Sequence, residues 1–292
     1  MSTSPPDTGL RTDPADRHEQ SSWWSTPLAS ASATPTTARH LAVAPGAGTA
    51  VHAEGPPTLA PAQLRVEQQR TLAAPQTRQR LMLRMMFASI DVLYGRRLSI
   101  EKFLVLEHLA QVPYRSWERV AQRRIARTRG RSVLARRIRQ RVAEARAQQD
   151  NEQWHMLVME ELIAREGRPL RRVRHRLLPR LLALPWQATT WVLHLVRPQW
   201  SYQLNAAFEA HAERSYMRFV AEHPETEYQA FAGPLADRWS VPVTVADVLR
   251  QIGHDERIHR LDSKEAAAEE GVASEPESGE VGEVTGRMQT AA

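Results

Sequence analysis

Asn151-Glu152-Gln153-Trp154-His155 and Asp255-Glu256-Arg257-Ile258-His259 are two copies of one pattern, Glu-x-x-His. Each copy lies in a stretch with helical periodicity, which puts its Glu and His on one face about one turn apart. A carboxylate and an imidazole so placed can grip one metal ion. Two such helices facing each other can grip two ions, as in ferritin-like di-iron and di-manganese carboxylate bundles, where two further helices each add a lone Glu. Glu107 and Glu209 are the lone carboxylates of this chain. The candidate ligands therefore run Glu107, Glu152 with His155, Glu209, Glu256 with His259. They recur at roughly fifty-residue intervals, one long helix and its return.

One Glu-x-x-His is weak evidence, because helices are rich in Glu and the chain has 11 His. Two copies in register with two lone Glu are much more specific. Their neighbours are apolar: Leu104, Leu106 and Leu109 around Glu107, Trp154 and Leu157 around the first pair, Phe208 beside Glu209. A charged residue on an apolar face needs a reason. Charge supplies one: four carboxylates balance two divalent cations, and a buried cluster is tolerable only when it is neutral.

The chain has 292 residues and no Cys, so disulfides, thiolate metal sites and Cys nucleophiles are excluded. Any metal must be held by His, Asp and Glu, a set that suits iron or manganese. The net charge of +6 is consistent with nucleic acid or with an anionic membrane surface. No nucleic-acid-binding motif accompanies it, so no nucleic-acid partner is expected. No apolar run reaches the about 18 residues that a transmembrane helix needs. The N-terminal stretch lacks the basic and apolar regions of a secretory signal, and Asp7, Asp13, Asp16 and Glu19 argue against a transit peptide.

The expected fold class is all-α. Residues 1–75, rich in Ser, Thr, Pro, Ala and Gly, read as a disordered tail, and residues 266–292 as a second, acidic one. Between them, residues 76–265 read as a helical domain, with an apolar segment ending at Tyr94-Gly95, a second reaching Pro113, and a third capped by Ser132 and stopped by Gly167. A single segment then spans Leu170 to Val196, another starts at Pro198, and Thr244 caps the last. No strand pattern competes.

The motifs resemble the alternative oxidases, and among them most the plastid terminal oxidase branch. The match is carried by Leu106-Glu107-His108-Leu109-Ala110-Gln111-Val112-Pro113-Tyr114, by Asn151-Glu152-Gln153-Trp154-His155 with Met159-Glu160-Glu161-Leu162, by Phe208-Glu209-Ala210-His211-Ala212-Glu213-Arg214-Ser215-Tyr216, and by Asp255-Glu256-Arg257-Ile258-His259. The resemblance implies a ferritin-like four-helix bundle with membrane-surface helices and a di-iron centre. It implies a membrane-associated quinol:oxygen oxidoreductase that oxidises two quinols and reduces O2 to two waters without pumping protons. It makes Glu107, Glu152, His155, Glu209, Glu256 and His259 the ligands of two Fe ions, and Tyr216 a redox tyrosine beside them. Tyr216 follows Glu209 by two helical turns on the same face, although a packed core tyrosine would show the same spacing. Asn151 and Asp255 match positions that orient the His ligands. A homodimer would also fit the family.

The chain departs from the family pattern in places. His108 stands where a Thr is usual, Lys102 near an Arg of the quinol pocket, and Arg238, before Trp239, in the place of an aromatic. A loop of the plastid enzymes before the last helix is missing, which points to a bacterial relative. Two other di-iron readings remain, a hydroxylase acting on a quinone or lipid and a ferritin-like protein that binds iron without turnover.

Residues Leu181, Leu182, Ala183, Leu184, Trp186, Trp191, Val192, Leu193, Leu195 and Val196 form an apolar belt. It is preceded by Arg168, Arg171, Arg172, Arg174, His175, Arg176 and Arg180. Such a segment is expected to lie in a membrane surface, with its Trp residues at the interface and its Arg residues toward anionic headgroups. Met82 to Leu93 offers a second such face. The expected location is peripheral, on the cytoplasmic face of a bacterial inner membrane.

Overall fold

A proline inside a helix removes one backbone hydrogen bond and leaves a carbonyl without its donor. At Pro113 that carbonyl belongs to Leu109, and the indole N–H of Trp186 donates to it at 3.1 Å. The helix therefore does not end at the proline. It runs unbroken as α3, Ile100–Arg127, capped by Ser99, whose hydroxyl accepts from Lys102 N.

In the computed structural model the described residues are 57–76, 79–128, 130–241 and 243–274. All belong to one compact unit, and they are mostly helical. The α-helices are α1 (Pro61–Ala73), α2 (Leu81–Tyr94), α3, α4 (Ser132–Arg165), α5 (Leu178–Val196), α6 (Pro198–Glu222) and α7 (Val245–Ser274). A π-helical turn, Arg172–Leu177, leads into α5. Two short antiparallel strands, β1 (Ala230–Phe231) and β2 (Val243–Thr244), pair Ala230 with Thr244 and Phe231 with Val243 before α7. No helix among the described residues is long and apolar enough to cross a membrane.

Caps and breakers set the helix ends. Thr244 Oγ1 accepts from Asp247 N while Asp247 Oδ2 accepts from Thr244 N, a reciprocal cap at α7. Gly167, at φ 69°, turns the chain out of α4. Ser132 is not a cap: Arg131 occupies that position and makes no side-chain cap bond. The stretch from Leu170 to Val196 is not one element either, because the π-helical turn separates its start from α5.

Four long helices enclose the core. Helices α3 and α4 pack as one pair and α6 and α7 as another, and α3 also meets α6. Gln148–Asp262 and Asn151–Asp255 hydrogen bonds join α4 to α7. Gly253 lets α7 approach α6 closely, since a Cβ there would lie 3.2 Å from Tyr216 Cβ and 3.4 Å from the Glu213 carbonyl oxygen. Helix α5 covers α3 and α6.

The expected domain limits shift at both ends. Residues 61–73, assigned above to the N-terminal tail, form α1 and dock on α6 and α7. Polar anchors invisible to hydrophobic patterning hold α1 there. Gln68 donates to the Met217 carbonyl and accepts from Arg250 Nε, Thr71 donates to Glu213, and Arg257 pairs with Glu67. Helix α7 likewise continues to Ser274, past the expected limit at 265. Residues 1–56 and 275–292 of the two expected tails lie outside the described residues.

The apolar belt also divides. Leu181, Leu184, Val192, Leu195 and Val196 of α5 are exposed, as are Leu81, Met85, Val92 and Leu93 of α2. Trp186, expected at the interface, is instead buried against Phe208 and bonded to Leu109. Trp186→Phe strands the Leu109 carbonyl and leaves a small void where the larger indole packed. It is expected to lower unfolding stability by about 1–3 kcal/mol, seen as a lower urea midpoint. An unchanged midpoint would mean that the carbonyl finds another donor.

Candidate metal centre

The six ligands expected from the two Glu-x-x-His copies and the lone glutamates converge in the core. Glu107 (α3), Glu152 and His155 (α4), Glu209 (α6), and Glu256 and His259 (α7) are each at most 1% exposed. Their ligand atoms form two overlapping groups. One is Glu107, Glu152, His155 and Glu256; the other is Glu152, Glu209, Glu256 and His259; within each, the atoms lie within 4.8 Å of one another. Glu152 and Glu256 belong to both groups. A lone Glu and a His complete each side.

The donor atoms point inward. His155 Nδ1 lies 3.3 Å from Glu107 Oε2, 3.4 Å from Glu152 Oε2 and 3.3 Å from Glu256 Oε1. His259 Nδ1 lies 2.5 Å from Glu152 Oε1, but without the alignment of a hydrogen bond. Glu107 Oε2, Glu152 Oε1, Glu209 Oε2, both Glu256 oxygens and His259 Nδ1 are buried without a hydrogen-bond partner. Buried polar atoms are ordinarily satisfied. Here the orphans crowd one point from four helices, with the oxygen and imidazole donors that suit a hard or borderline divalent ion. The residues fit a metal.

Groups behind the ligands orient them. His155 Nε2 lies 3.2 Å from Asp255 Oδ2, so a proton held there leaves the Nδ1 lone pair facing the carboxylates. The Asn151 amide sits 3.1 Å from His155 Nε2 and 3.4 Å from His259 Nε2. Arg238 reaches both Asn151 and Asp255 and lies 4.5 Å over the Trp154 ring. Its place before Trp239, noted above as a departure, is the place from which it braces these two side chains.

Two tyrosines close the ends. Tyr216 donates to Glu107 Oε1 and stacks on Phe103 at 4.1 Å. Tyr114 donates to Glu209 Oε1 at 3.0 Å. Each thus reaches across to the lone glutamate of the other helix. Asn205 Nδ2 donates to Glu209 at 2.9 Å and lies 3.1 Å from Ser263, which lines a cavity of about 1010 Å³ between α4 and α7. The sequence reading missed Tyr114 and Asn205 as site residues. One signal was present for Tyr114: it follows Glu107 by the same seven positions that separate Tyr216 from Glu209.

Lys102 is buried and committed elsewhere. Its ammonium pairs with Asp91 and donates to the Gly95 carbonyl at 3.0 Å, tying the end of α2 to α3. His108 is half-buried beside Glu107, its pKa lowered by burial and by Arg115 and Arg180.

Burial dominates the electrostatics. It pushes the Glu107 carboxyl up to about 8 and Glu209 up to about 7, and Glu256 well above the usual carboxylate range, with Glu152 adding repulsion to each. Burial opposes charge on His155 and His259, but the surrounding carboxylates outweigh it and raise both. Glu152 moves the other way: the two imidazoles overcome burial and lower it. Comparison with family models, with curated proteins and with solved structures finds no match. The buried Glu and His groups could hold a metal ion, and that statement rests on their geometry.

The titration of the metal-free protein follows. Three carboxyls and two imidazoles keep protons in the fold at pH values where the unfolded chain has released them. Their contribution is fully present below about pH 4.5, where carboxylates are protonated in both states, and is lost as pH rises through about 7 and 8. Glu152 acts oppositely, but alone. Metal-free protein in chelator should therefore lose stability from about pH 5 to 8, and a divalent ion, replacing the protons, should flatten the profile. Urea midpoints across this range test both. A metal-free midpoint that rises with pH would contradict the electrostatic account.

Proposed function

We propose that this chain is a ferritin-like four-helix di-iron protein of alternative-oxidase type, a quinol:oxygen oxidoreductase at a membrane surface. The observation that carries the reading is the sharing of Glu152 and Glu256 between two four-ligand groups. Two carboxylates common to two sites are the geometry of a paired ion centre, and four carboxylates neutralise two ferrous ions. Bound iron would supply dioxygen binding and electron transfer. Manganese fits the same donors; oxidase chemistry favours iron.

The chain's own groups have definable tasks in that reaction. Two quinols give four electrons and four protons, which with one O2 make two quinones and two waters. Asp255 and Asn151 hold the imidazoles so that their Nδ1 atoms face the cluster. Phe103, Phe208, Val158 and Leu109, all buried, keep bulk water away. In this reading Tyr216, which donates a hydrogen bond to Glu107 Oε1, would give one electron to the bound iron and dioxygen while its phenolic proton leaves along that hydrogen bond. The exposed apolar residues of α2 and α5 support a membrane-surface location, from which an isoprenoid quinol would enter.

Purified protein loaded with ferrous iron should bind two ions per chain and consume oxygen with quinol. Glu209→Ala and His259→Ala should each lower iron content and abolish turnover. Tyr216→Phe should keep the iron and lose turnover. A Tyr216→Phe enzyme of full activity would remove the redox role while leaving the metal site standing. Oxygen atoms recovered in an organic product would make the protein a hydroxylase. Iron binding without oxygen uptake on any quinol would make it a binding protein.

A second set of variants separates the two tyrosines. Tyr114→Phe removes one hydrogen bond from Glu209 but leaves the one from Asn205. It should retain both irons and lower kcat by about tenfold or less, a much smaller loss than Tyr216→Phe. Equal losses would show that both phenols serve the same step.

A further inference from the structure

A cavity of about 350 Å³ lies where the π-helical turn meets α3, lined by Glu101, Arg168, Pro169, Arg171, Arg174 and His175. The His175 side chain is 3% exposed. Its Nδ1 accepts from the Arg171 backbone N–H at 2.8 Å. A neutral ring that accepts at Nδ1 carries its proton on Nε2. That Nε2 is buried without a hydrogen-bond partner, and the nearest carboxylate oxygen, Glu101 Oε1, is 3.7 Å away, beyond hydrogen-bond reach. His175 thus lines the cavity with a buried donor that has no acceptor.

The arginines around it share its preference for an acceptor. Glu101 holds Arg174 at 2.9 Å and Arg168 at 3.5 Å, fixing two guanidinium groups at the rim. Arg168 also reaches Glu166. The Arg171 guanidinium has no ion pair or hydrogen bond among the described residues. Three Arg and one Glu line the cavity, so its walls carry surplus positive charge. Planar forks and a neutral N–H donor suit a tetrahedral oxyanion.

We propose that this cavity is a binding pocket for a phosphate group, with His175 Nε2–H and the Arg171 guanidinium as its donors. The phosphate is that of an anionic phospholipid headgroup, an assignment that rests on the membrane-surface reading above. The position supports it. Val173 and Leu177 on the π-helical turn that lines the cavity, and Leu181 and Leu184 on α5 after it, are exposed. Tyr94, which ends α2 after exposed Val92 and Leu93, donates to the carbonyl of the lining residue Arg174. These contacts tie the cavity to both segments that carry exposed apolar side chains.

The test uses the full chain, with vesicles of phosphatidylcholine with and without phosphatidylglycerol in one arm and inorganic phosphate without lipid in the other. Arg171→Gln removes the charged guanidinium fork and His175→Phe removes the ring N–H. Arg176→Gln removes one charge from the same turn outside the pocket and controls for general attraction. Both pocket variants should bind phosphatidylglycerol vesicles about fivefold more weakly than Arg176→Gln does, and inorganic phosphate should compete with the vesicles for the wild-type protein. Arg171 is exposed, so its variant remains informative if His175→Phe fails to fold. Equal weakening in all three variants, with no effect of inorganic phosphate, would overturn the pocket while leaving the membrane reading intact. No vesicle binding, but a thermal shift with inorganic phosphate that both pocket variants lose, would keep the pocket as a free-phosphate site and overturn the membrane reading.

Discussion

Four carboxylates from four helices meet in a space that water does not enter, and the rest of the molecule is arranged around the cost of putting them there. Glu152, Glu209 and Glu256 are fully buried and Glu107 nearly so. Four negative charges in a low-dielectric core would drive the helices apart. Without metal, burial and mutual repulsion raise Glu107, Glu209 and Glu256 above the usual carboxylate range, and the carboxylates in turn raise His155 and His259. Two divalent ions would balance the four carboxylates and satisfy the orphaned oxygens directly. The packing that surrounds the cluster sets where the charge must be balanced.

The surroundings of the cluster repeat in pairs. Each lone glutamate receives a phenol from the opposite helix, Tyr216 to Glu107 and Tyr114 to Glu209. The pairs differ in what lies behind them. Tyr216 is stacked on Phe103 in an apolar wall, whereas Tyr114 and Glu209 share a polar contact with Asn205, which leads through Ser263 towards a large cavity. In the proposed oxidase this asymmetry assigns electron delivery to the apolar end and leaves the more polar end for exchange of protons.

The outer surface is organised with equal economy. Helix α5 spends its buried face on α3, where Trp186 repairs the bond lost at Pro113, and presents Leu181 and Leu184 outward. The turn before it gathers arginines round a buried histidine at the edge of that apolar face. In the proposed membrane-surface reading, the exposed apolar residues of α5 and the phosphate pocket before it would both meet the bilayer.

The helical class, the Glu-x-x-His faces and the order of the six candidate ligands were legible in the sequence, because each depends on local spacing: three residues along a helix bring two side chains to one face whatever the rest of the chain does. The reading of Trp186 as an interface anchor failed because an indole's choice between lipid and core is made by its partner, here a carbonyl orphaned by a distant proline. The docking of α1 was hidden because polar bonds to residues far along the chain, not an apolar stripe, hold it. The pairing of Tyr114 with Glu209 was hidden for a related reason: its seven-residue spacing from Glu107 names the helix it sits on, not the one it reaches. The sequence by itself determined which residues could act as ligands. Only the tertiary structure decided that Glu152 and Glu256 belong to both halves of the site, because sharing a carboxylate between two sites is a property of how four helices cross.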